Sequence, residues 1–383
     1  MRETLLFCGL IFCLCISCSN QSQTKGKKQN LQESLINSSK LLYDTARFDL
    51  NPDIRLFTAM AFANISGYDH ENTVMSSERL KMRNYLDSIL PKDYKEKIAG
   101  TFKALDPTIF ATVGSKAFNL SLPPGFNWLP DSASLTTPEF RKDEKFAVLL
   151  KEFYLNADIP SLWNKYYPKL KKTNYEYAPY FDNAIKDIIV FCRINESCFD
   201  SVKFHFNVCP FIQNESGFTC KSKNDIYIIV SPRKTLPGPD AFYHEALHHI
   251  INPMVEKNRL LLHKYNQITS VGMESRVIVF NYIDDLLCES MVRTIDYHLQ
   301  EKFYGWSKEE TLEKINNQYR SGLILMPFLY EKLLDYNENS VSLEEYLPVI
   351  INQIDIEKEK KRWNSFIKAK SINANIKVSA SRF

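Results

Sequence analysis

The sequence predicts an α+β protein that is mostly helical and contains one small mixed or antiparallel sheet. Two observations predict this class. Helical periodicity covers most of the chain before Asn195 and again after Pro239. Between these regions lie three short segments, "SVKFHFNVCPFI", "GFTCKS" and "DIYIIVSP", which are rich in β-branched and aromatic residues and read as strands. Helices followed by strands and then by helices are typical of an α+β fold.

The helices can be placed in chain order from their boundary residues. The first, "NPDIRLFTAMAFANISGYD", begins at Asn51-Pro52 and ends at Gly67, and "SSERLKMRNYLDSIL" follows it. Prolines and small polar residues predict a long loop over residues 122–138. Helical periodicity returns across "KFAVLLKEFYLNADIPSLWNKYYPKLKK" and "YFDNAIKDIIVFCRI". After the last strand, helices are predicted nearly to Lys361.

Composition limits the classes of partner. Apolar residues make up 44% of the 383 residues, which is enough for one large core or two modest ones. The 48 basic and 45 acidic residues leave a formal charge of +3, so there is no electrostatic case for a nucleic-acid partner. We predict one domain over residues 41–383, with a helical N-terminal part (41–140), a catalytic core (141–305) and a C-terminal helical part (306–383).

The N-terminal segment has the pattern of an export signal. Arg2 precedes an apolar run from Leu5 to Ile16, and Ser17-Cys18 follows it. The small residue before a cysteine resembles a bacterial lipoprotein signal, although Cys15 stands where that pattern has an aliphatic residue. We therefore predict a signal peptide over 1–18, lipidation of Cys18, a polar tether over 19–40 and attachment to a membrane of the cell envelope. An ordinary cleaved signal and a retained anchor are the alternatives, and both also place the protein outside the cytoplasm.

Five cysteines lie beyond the export segment. An exported chain permits disulfides, and Cys192–Cys198 or Cys209–Cys220 would be local pairs, with Cys288 left over. Connectivity does not follow from sequence alone. A four-cysteine zinc site is disfavoured because no CxxC spacing occurs.

The segment "AFYHEALHHIINPM" contains the pattern HExxH. His244 and His248 are four residues apart, so on a helix their side chains project about 40° from each other and both can reach one metal ion. Glu245 lies beside that pair, where a general base is needed. The alternative is a solvated helix face. The apolar surroundings favour a zinc site, because buried ionisable groups need partners.

A catalytic zinc site needs a third protein ligand. The metzincin spacing would put a histidine at position 254, which is Met254. Glu289, in the apolar "LLCESMV", is the predicted ligand, and Glu274 is the reserve candidate. Arg293 and Asp285 are each one turn from Glu289 and could orient it. The alternative for Glu289 is a buried ion pair with Arg293 that needs no metal.

These motifs resemble the gluzincin branch of zinc metallopeptidases. "HEALHHIINP", "LLCESMVRTID" and the early "NPDIRLFTAMAFANISGYD" are similar to a bacterial family of exported, zincin-like proteins described only as a domain of unknown function, over roughly residues 50 to 300. The resemblance implies a zincin-like fold, zinc held by His244, His248 and Glu289, and Glu245 as catalytic base. Gluzincins commonly carry an aspartate four residues after the glutamate, and this chain has Arg293 there.

The predicted function is hydrolysis of peptide bonds by a membrane-tethered zinc metallopeptidase acting on a peptide or protein substrate. A non-proteolytic lipoprotein that captures glycan or peptide through the aromatic segment "FYLNADIPSLWNKYYPKLKKTNYEYAPYF" is one alternative, and a zinc hydrolase of a non-peptide bond is another. The strand "DIYIIV" is either an edge strand that binds an extended peptide or an ordinary core strand. Tyr297 and His298 are both candidates for stabilising an oxyanion.

Overall fold

The structure is a computed structural model and describes ten segments of the chain. These are residues 48–66, 76–102, 109–130, 143–195, 202–213, 216–233, 240–273, 276, 278–337 and 339–380. The predicted signal peptide, with Cys18, and the tether lie outside them, as does the reserve ligand Glu274. The described residues form two compact units, the first containing those before Lys186 and those of 196–245, the second those of 186–195 and those from Ala246 onward.

A mixed four-stranded sheet organises the first unit. Its strands are β1 (Phe48–Asp49), β2 (Lys203–Val208), β3 (Gly217–Ser222) and β4 (Asp225–Val230), in the order β1-β2-β4-β3. β1, β2 and β4 run parallel, and β3 pairs with β4 in the antiparallel sense. The three strands predicted from sequence are confirmed, and β1 was missed because a two-residue strand carries no periodicity.

Strand β4 lies inside the sheet. It pairs with β2 on one side and with β3 on the other, and Ile226 to Val230 are all buried. The interpretation of "DIYIIV" as an edge strand is therefore wrong, and its alternative, a core strand, is correct. Among the described strands, β3 holds the edge position nearest in sequence to the HExxH segment.

Six helices precede β2 in the described part of the chain. They are α1 (Ile54–Ile65), α2 (Ser77–Ile89), α3 (Lys92–Phe102), α4 (Ile109–Phe118), α5 (Glu144–Asn156) and α6 (Ile159–Cys192), the last of which continues into the second unit. Asp53 caps α1 by accepting a hydrogen bond from the Arg55 amide, so the helix begins at Ile54, two residues after the predicted Asn51-Pro52 entrance. Phe62 of α1 packs edge-on against Phe146 and Phe153 of α5 in the core.

One side chain of α6 ties that helix to the sheet. The Asn174 amide nitrogen donates to the carbonyl oxygens of Leu50 and Phe206, at 2.9 and 3.2 Å. Its side-chain oxygen accepts from the Val208 amide at 2.8 Å. These bonds satisfy buried backbone groups at the end of β2 and explain a fully buried amide in the middle of a helix.

Helices α7 to α13 complete the chain. They are α7 (Asp240–Lys257), α8 (Arg259–Leu262), α9 (Ile283–Tyr304), α10 (Lys308–Ser321), α11 (Met326–Asn337), α12 (Leu343–Asn352) and α13 (Ile356–Ala380), with a 3-10 helix at His263–Ser270. The boundary between the units falls within α7, between Glu245 and Ala246. Helix α9 is the centre of the second unit, because its residues are buried almost continuously from Leu286 to Gln300. The predicted α+β class is confirmed.

The predicted pair Cys209–Cys220 is not a disulfide. Cys209 follows β2 and Cys220 lies in β3, and β4 runs between those two strands. Two strand spacings amount to about 10 Å, beyond the separation that a disulfide spans. Cys192 and Cys288 also form no disulfide, and Cys198 lies outside the described residues. Within the described residues, no helix is both long enough and apolar enough to cross a membrane.

Candidate metal centre

Helix α7 places the two predicted histidine ligands one turn apart. His244 and His248 lie on the same continuous helix, four residues from each other, so their rings leave the helix on nearly the same side. The residues around them are buried: Phe242, Tyr243, Ala246, Leu247 and Ile251. His248 is itself buried and His244 is partly exposed.

Helix α9 brings Glu289 to this pair, as predicted. Glu289 is 1% exposed, and its Oε2 lies 3.5 Å from Nε2 of His248. One ligand atom from each of His244, His248 and Glu289 lies within 4.8 Å of the other two. Tetrahedral zinc with bonds of about 2.1 Å holds its ligand atoms about 3.4 Å apart. The donor set therefore fits a divalent metal ion after small side-chain rotations.

Asn252 fixes the orientation of the His248 ring. Its Oδ1 lies 3.2 Å from Nδ1 of His248, one helical turn further along α7. An amide oxygen accepts hydrogen bonds, so this contact assigns the ring proton to Nδ1 and leaves the lone pair of Nε2 directed toward Glu289. Metal-binding histidines commonly have such an acceptor on their other nitrogen. Sequence reasoning missed Asn252, although its spacing of four residues from His248 was visible.

Arg293 pairs with the other oxygen of Glu289. Its Nε lies 2.5 Å from Oε1, and both side chains are buried. The ion pair predicted as the alternative to a metal ligand is therefore present. It does not exclude a ligand role, because Oε2 is the atom nearest His248. Of the two predicted orienting residues, Arg293 makes the contact.

Asp285 is half-buried at the start of α9. The pKa of its carboxyl is raised to about 7, mainly by burial and also by the negative charge of Asp284, while Arg259 opposes the change. Arg259 forms an ion pair with Asp284, with 3.4 Å between Nε and Oδ2. Asp285 is thus a carboxyl that changes charge near neutral pH, one helical turn before Glu289.

Glu245 lies next to the ligands and has a different neighbour. It is 7% exposed and does not belong to the group of three ligand residues. A β-carbon built on Gly217, the first residue of β3, would lie 3.0 Å from Oε1 of Glu245. The carboxylate of Glu245 thus packs against the start of the edge strand. The sequence carries no local signal for this contact, since it depends on the strand order.

The two candidates for oxyanion stabilisation lie elsewhere on α9. His298 is nine residues after Glu289, which turns it to the opposite side of the helix. Its Nε2 lies 2.7 Å from the Asn337 side-chain nitrogen, and its ring packs near Phe191. Tyr297 is buried and stacks obliquely near Trp306. His205, predicted as a strand residue without a chemical role, lies in β2 between Asp49 and Asp225, and its hydrogen bond lowers the pKa of Asp49.

A family model matches the part of the chain that contains this site. No curated protein and no solved structure matches the chain. Residues 227–353 match a family described as a domain of unknown function (DUF4932). The resemblance was predicted over roughly residues 50 to 300, whereas the matched segment starts at β4, contains α7 and α9, and extends to residue 353. The candidate metal ligands and Glu245 thus all lie within a segment of the chain that is similar to a family of unassigned function.

Proposed function

We propose that this protein is a zinc-dependent metallopeptidase of the gluzincin type. The observation that supports the proposal is the convergence of His244, His248 and Glu289, with one ligand atom of each within 4.8 Å of the others. Two imidazoles and one carboxylate are the donor set of a catalytic zinc site, which keeps a fourth position for water or substrate. Glu245 beside them is a carboxylate that a purely structural site does not require.

The ligands are held in place by their neighbours. Asn252 orients the His248 ring and Arg293 holds one oxygen of Glu289, so that Nε2 and Oε2 face each other at 3.5 Å. Zinc bound there supplies a Lewis acid that polarises a carbonyl and acidifies water. Because Arg293 neutralises Glu289, the site keeps more net positive charge than one whose glutamate is paired with an aspartate.

Glu245 is the proposed general base. Its carboxylate takes a proton from the attacking water and delivers that proton to the leaving amine as the peptide bond breaks. Glu245 is rotated about 100° around α7 from His244 and about 60° from His248, which places it beside the two histidines without making it a ligand. Burial limits competing contacts with solvent, which keeps the carboxylate in one position.

Strand β3 supports a peptide as the substrate. The Ser231 amide donates to the Ser216 carbonyl at 2.9 Å, so in the alternating antiparallel pattern the next residue, Gly217, directs its amide and carbonyl away from β4. An extended peptide can pair with a strand in that direction. A peptide bond beside Gly217 would be close to Glu245.

The alternative function, capture of a ligand on an aromatic surface, has less support from the packing of α6. Trp163 and Tyr166 of α6 pack against Phe57 in the core, with ring centroids 5.3 and 5.9 Å apart. Phe181 stacks on Phe206 at 4.8 Å. Most of the aromatic segment therefore has a packing role, which leaves little of it for stacking on a ligand.

We propose further that the activity is exported and tethered to a membrane through Cys18. The support is the sequence pattern of residues 1–18. Replacing Cys18 by Ala should move the protein from the membrane fraction to the soluble fraction of the cell envelope, measured by immunoblotting of fractionated cells. Retention of the Cys18→Ala protein in the membrane fraction would argue against lipid attachment at this residue.

The test of the peptidase combines metal analysis with peptide cleavage. We expect the purified protein to contain one zinc per chain and to cleave members of a peptide library, detected by mass spectrometry. Glu245→Gln should keep the zinc and lose cleavage by a factor of at least about 100, the usual contribution of a general base. Glu289→Ala should lose the zinc, because two histidines alone bind it weakly.

The outcomes separate the candidate functions. Zinc in the wild type without cleavage of any peptide would favour a binding role or a non-peptide substrate. A Glu289→Ala variant that retains one zinc would reject this ligand assignment. Cleavage that survives in Glu245→Gln would reject the proposed base.

A further inference from the structure

Gly217 occupies an unusual position for glycine. It is the first residue of β3, and its φ does not fall in the left-handed region that Gly272, Gly305 and Gly322 adopt. Its backbone is therefore one that any residue can adopt, so conformational freedom does not explain the glycine. Glycine within a strand weakens the strand and often marks a place where another group comes close.

The group that comes close is Glu245. A β-carbon on Gly217 would lie 3.0 Å from Oε1 and 3.2 Å from Cγ of Glu245. Both distances are shorter than ordinary van der Waals contact between carbon and its neighbours, about 3.5 Å. The same β-carbon would lie 3.0 Å from the carbonyl oxygen of Ile229, which belongs to the interior strand β4. The sheet cannot yield easily there, so the side chain of Glu245 is the part that would move.

We propose that Gly217 is a positioning residue for Glu245, and this inference rests on the proposed peptidase function. The bare α-carbon leaves the space in which the Glu245 carboxylate lies beside the ligands in α7. A methyl group at position 217 displaces that carboxylate by a few tenths of an ångström, which is enough to misalign a proton transfer. Larger side chains displace it further.

A double-mutant cycle in stability tests the contact without requiring activity. The proteins are the wild type, Gly217→Ala, Glu245→Ala and the double variant, unfolded by heat in the presence of a chelator. In the background that retains Glu245, Gly217→Ala should lower the midpoint of thermal unfolding by at least about 2 °C. In the Glu245→Ala background the change should be smaller or positive, because alanine suits a strand better than glycine. The contact with the Ile229 carbonyl is common to both backgrounds and cancels in the cycle.

Zinc content and kinetics separate a positioning role from a structural one. Gly217→Ala should retain one zinc per chain and should lower kcat about tenfold or more while KM stays within about twofold, since the substrate still binds. Gly100→Ala is the matched control, because a β-carbon on Gly100 in α3 meets nothing within 4 Å. It should change neither zinc content nor kcat.

Two results would overturn the role of Gly217. One is an equal shift of the unfolding midpoint in both backgrounds. The other is an unchanged kcat in a Gly217→Ala protein that cleaves peptide. A wild type that holds zinc but cleaves no peptide rejects the peptidase instead, and the stability cycle then decides whether Gly217 positions Glu245.

Discussion

Glu289 has two different neighbours, one at each carboxylate oxygen. Arg293 lies 2.5 Å from Oε1, and His248 lies 3.5 Å from Oε2. A carboxylate that is 1% exposed would be costly to bury alone, and the guanidinium offsets that cost before any metal binds. The ion pair and the ligand role therefore support each other. The paired charge allows the chain to fold with a ligand already in place.

Asp285 provides a pH-dependent test at the same end of α9. Burial raises the pKa of its carboxyl from 3.8 to about 7, so the folded protein holds this proton over a range in which the unfolded chain has lost it. The stability contributed by this group therefore falls as pH rises from about 4 to about 7 and stays low above that range. Asp285→Asn has no ionisable group at this position and therefore does not suffer this loss of stability at high pH. The variant should be more stable than the wild type at pH 8, by on the order of 2 kcal/mol after allowance for partial exposure.

The measurement is urea unfolding of both proteins at pH 4.5 and pH 8, with a chelator present so that metal binding does not contribute. The stability advantage of Asp285→Asn should shrink as pH falls, because in the folded wild type the Asp285 carboxyl is then protonated and as neutral as the asparagine. Asp284→Asn is the control. It removes the ion pair between Asp284 and Arg259, so this variant should be less stable than the wild type. A pH-independent difference between Asp285→Asn and the wild type would contradict the raised pKa.

At the scale of the helix and strand, the features that depend on residue spacing and on neighbouring apolar residues could be predicted from the sequence. The spacing of His244 and His248 fixes their relation once α7 is helical, and the apolar residues between them ensure that it is buried. Glu289 was predictable because a carboxylate among apolar residues needs a charged partner. Asn252 follows the same rule of four residues and could have been found in the same way.

Strand order is a property of long-range packing and was not predictable. Every residue of "DIYIIV" after Asp225 is apolar or aromatic. This pattern fits a strand buried on both faces at least as well as an edge strand. The crossover that inserts β4 between β2 and β3 decides the matter. The same crossover separates Cys209 from Cys220 and brings Gly217, rather than a residue of β4, to Glu245.

At the scale of the whole molecule, a metal that binds only the folded chain must stabilise it. The ligand atoms belong to two helices whose positions are lost on unfolding, so the unfolded chain offers no comparable site. Free zinc at about 100 times its dissociation constant adds about 2.7 kcal/mol to the free energy of unfolding. This linkage holds whatever the substrate is, which makes it independent of the peptidase proposal.

We therefore expect zinc to raise the midpoint of thermal unfolding by roughly 5 °C over the chelated protein at neutral pH. Glu289→Gln should abolish most of this shift, because an amide is a poor zinc ligand although its size and its contact with Arg293 are nearly preserved. Glu245→Gln should keep the shift, since Glu245 lies beside the ligands and is not one of them. Differential scanning calorimetry of the three proteins with and without zinc makes the comparison. An equal shift in Glu289→Gln and the wild type would mean that zinc binds elsewhere, and the three-residue centre would then lose its support as the metal site.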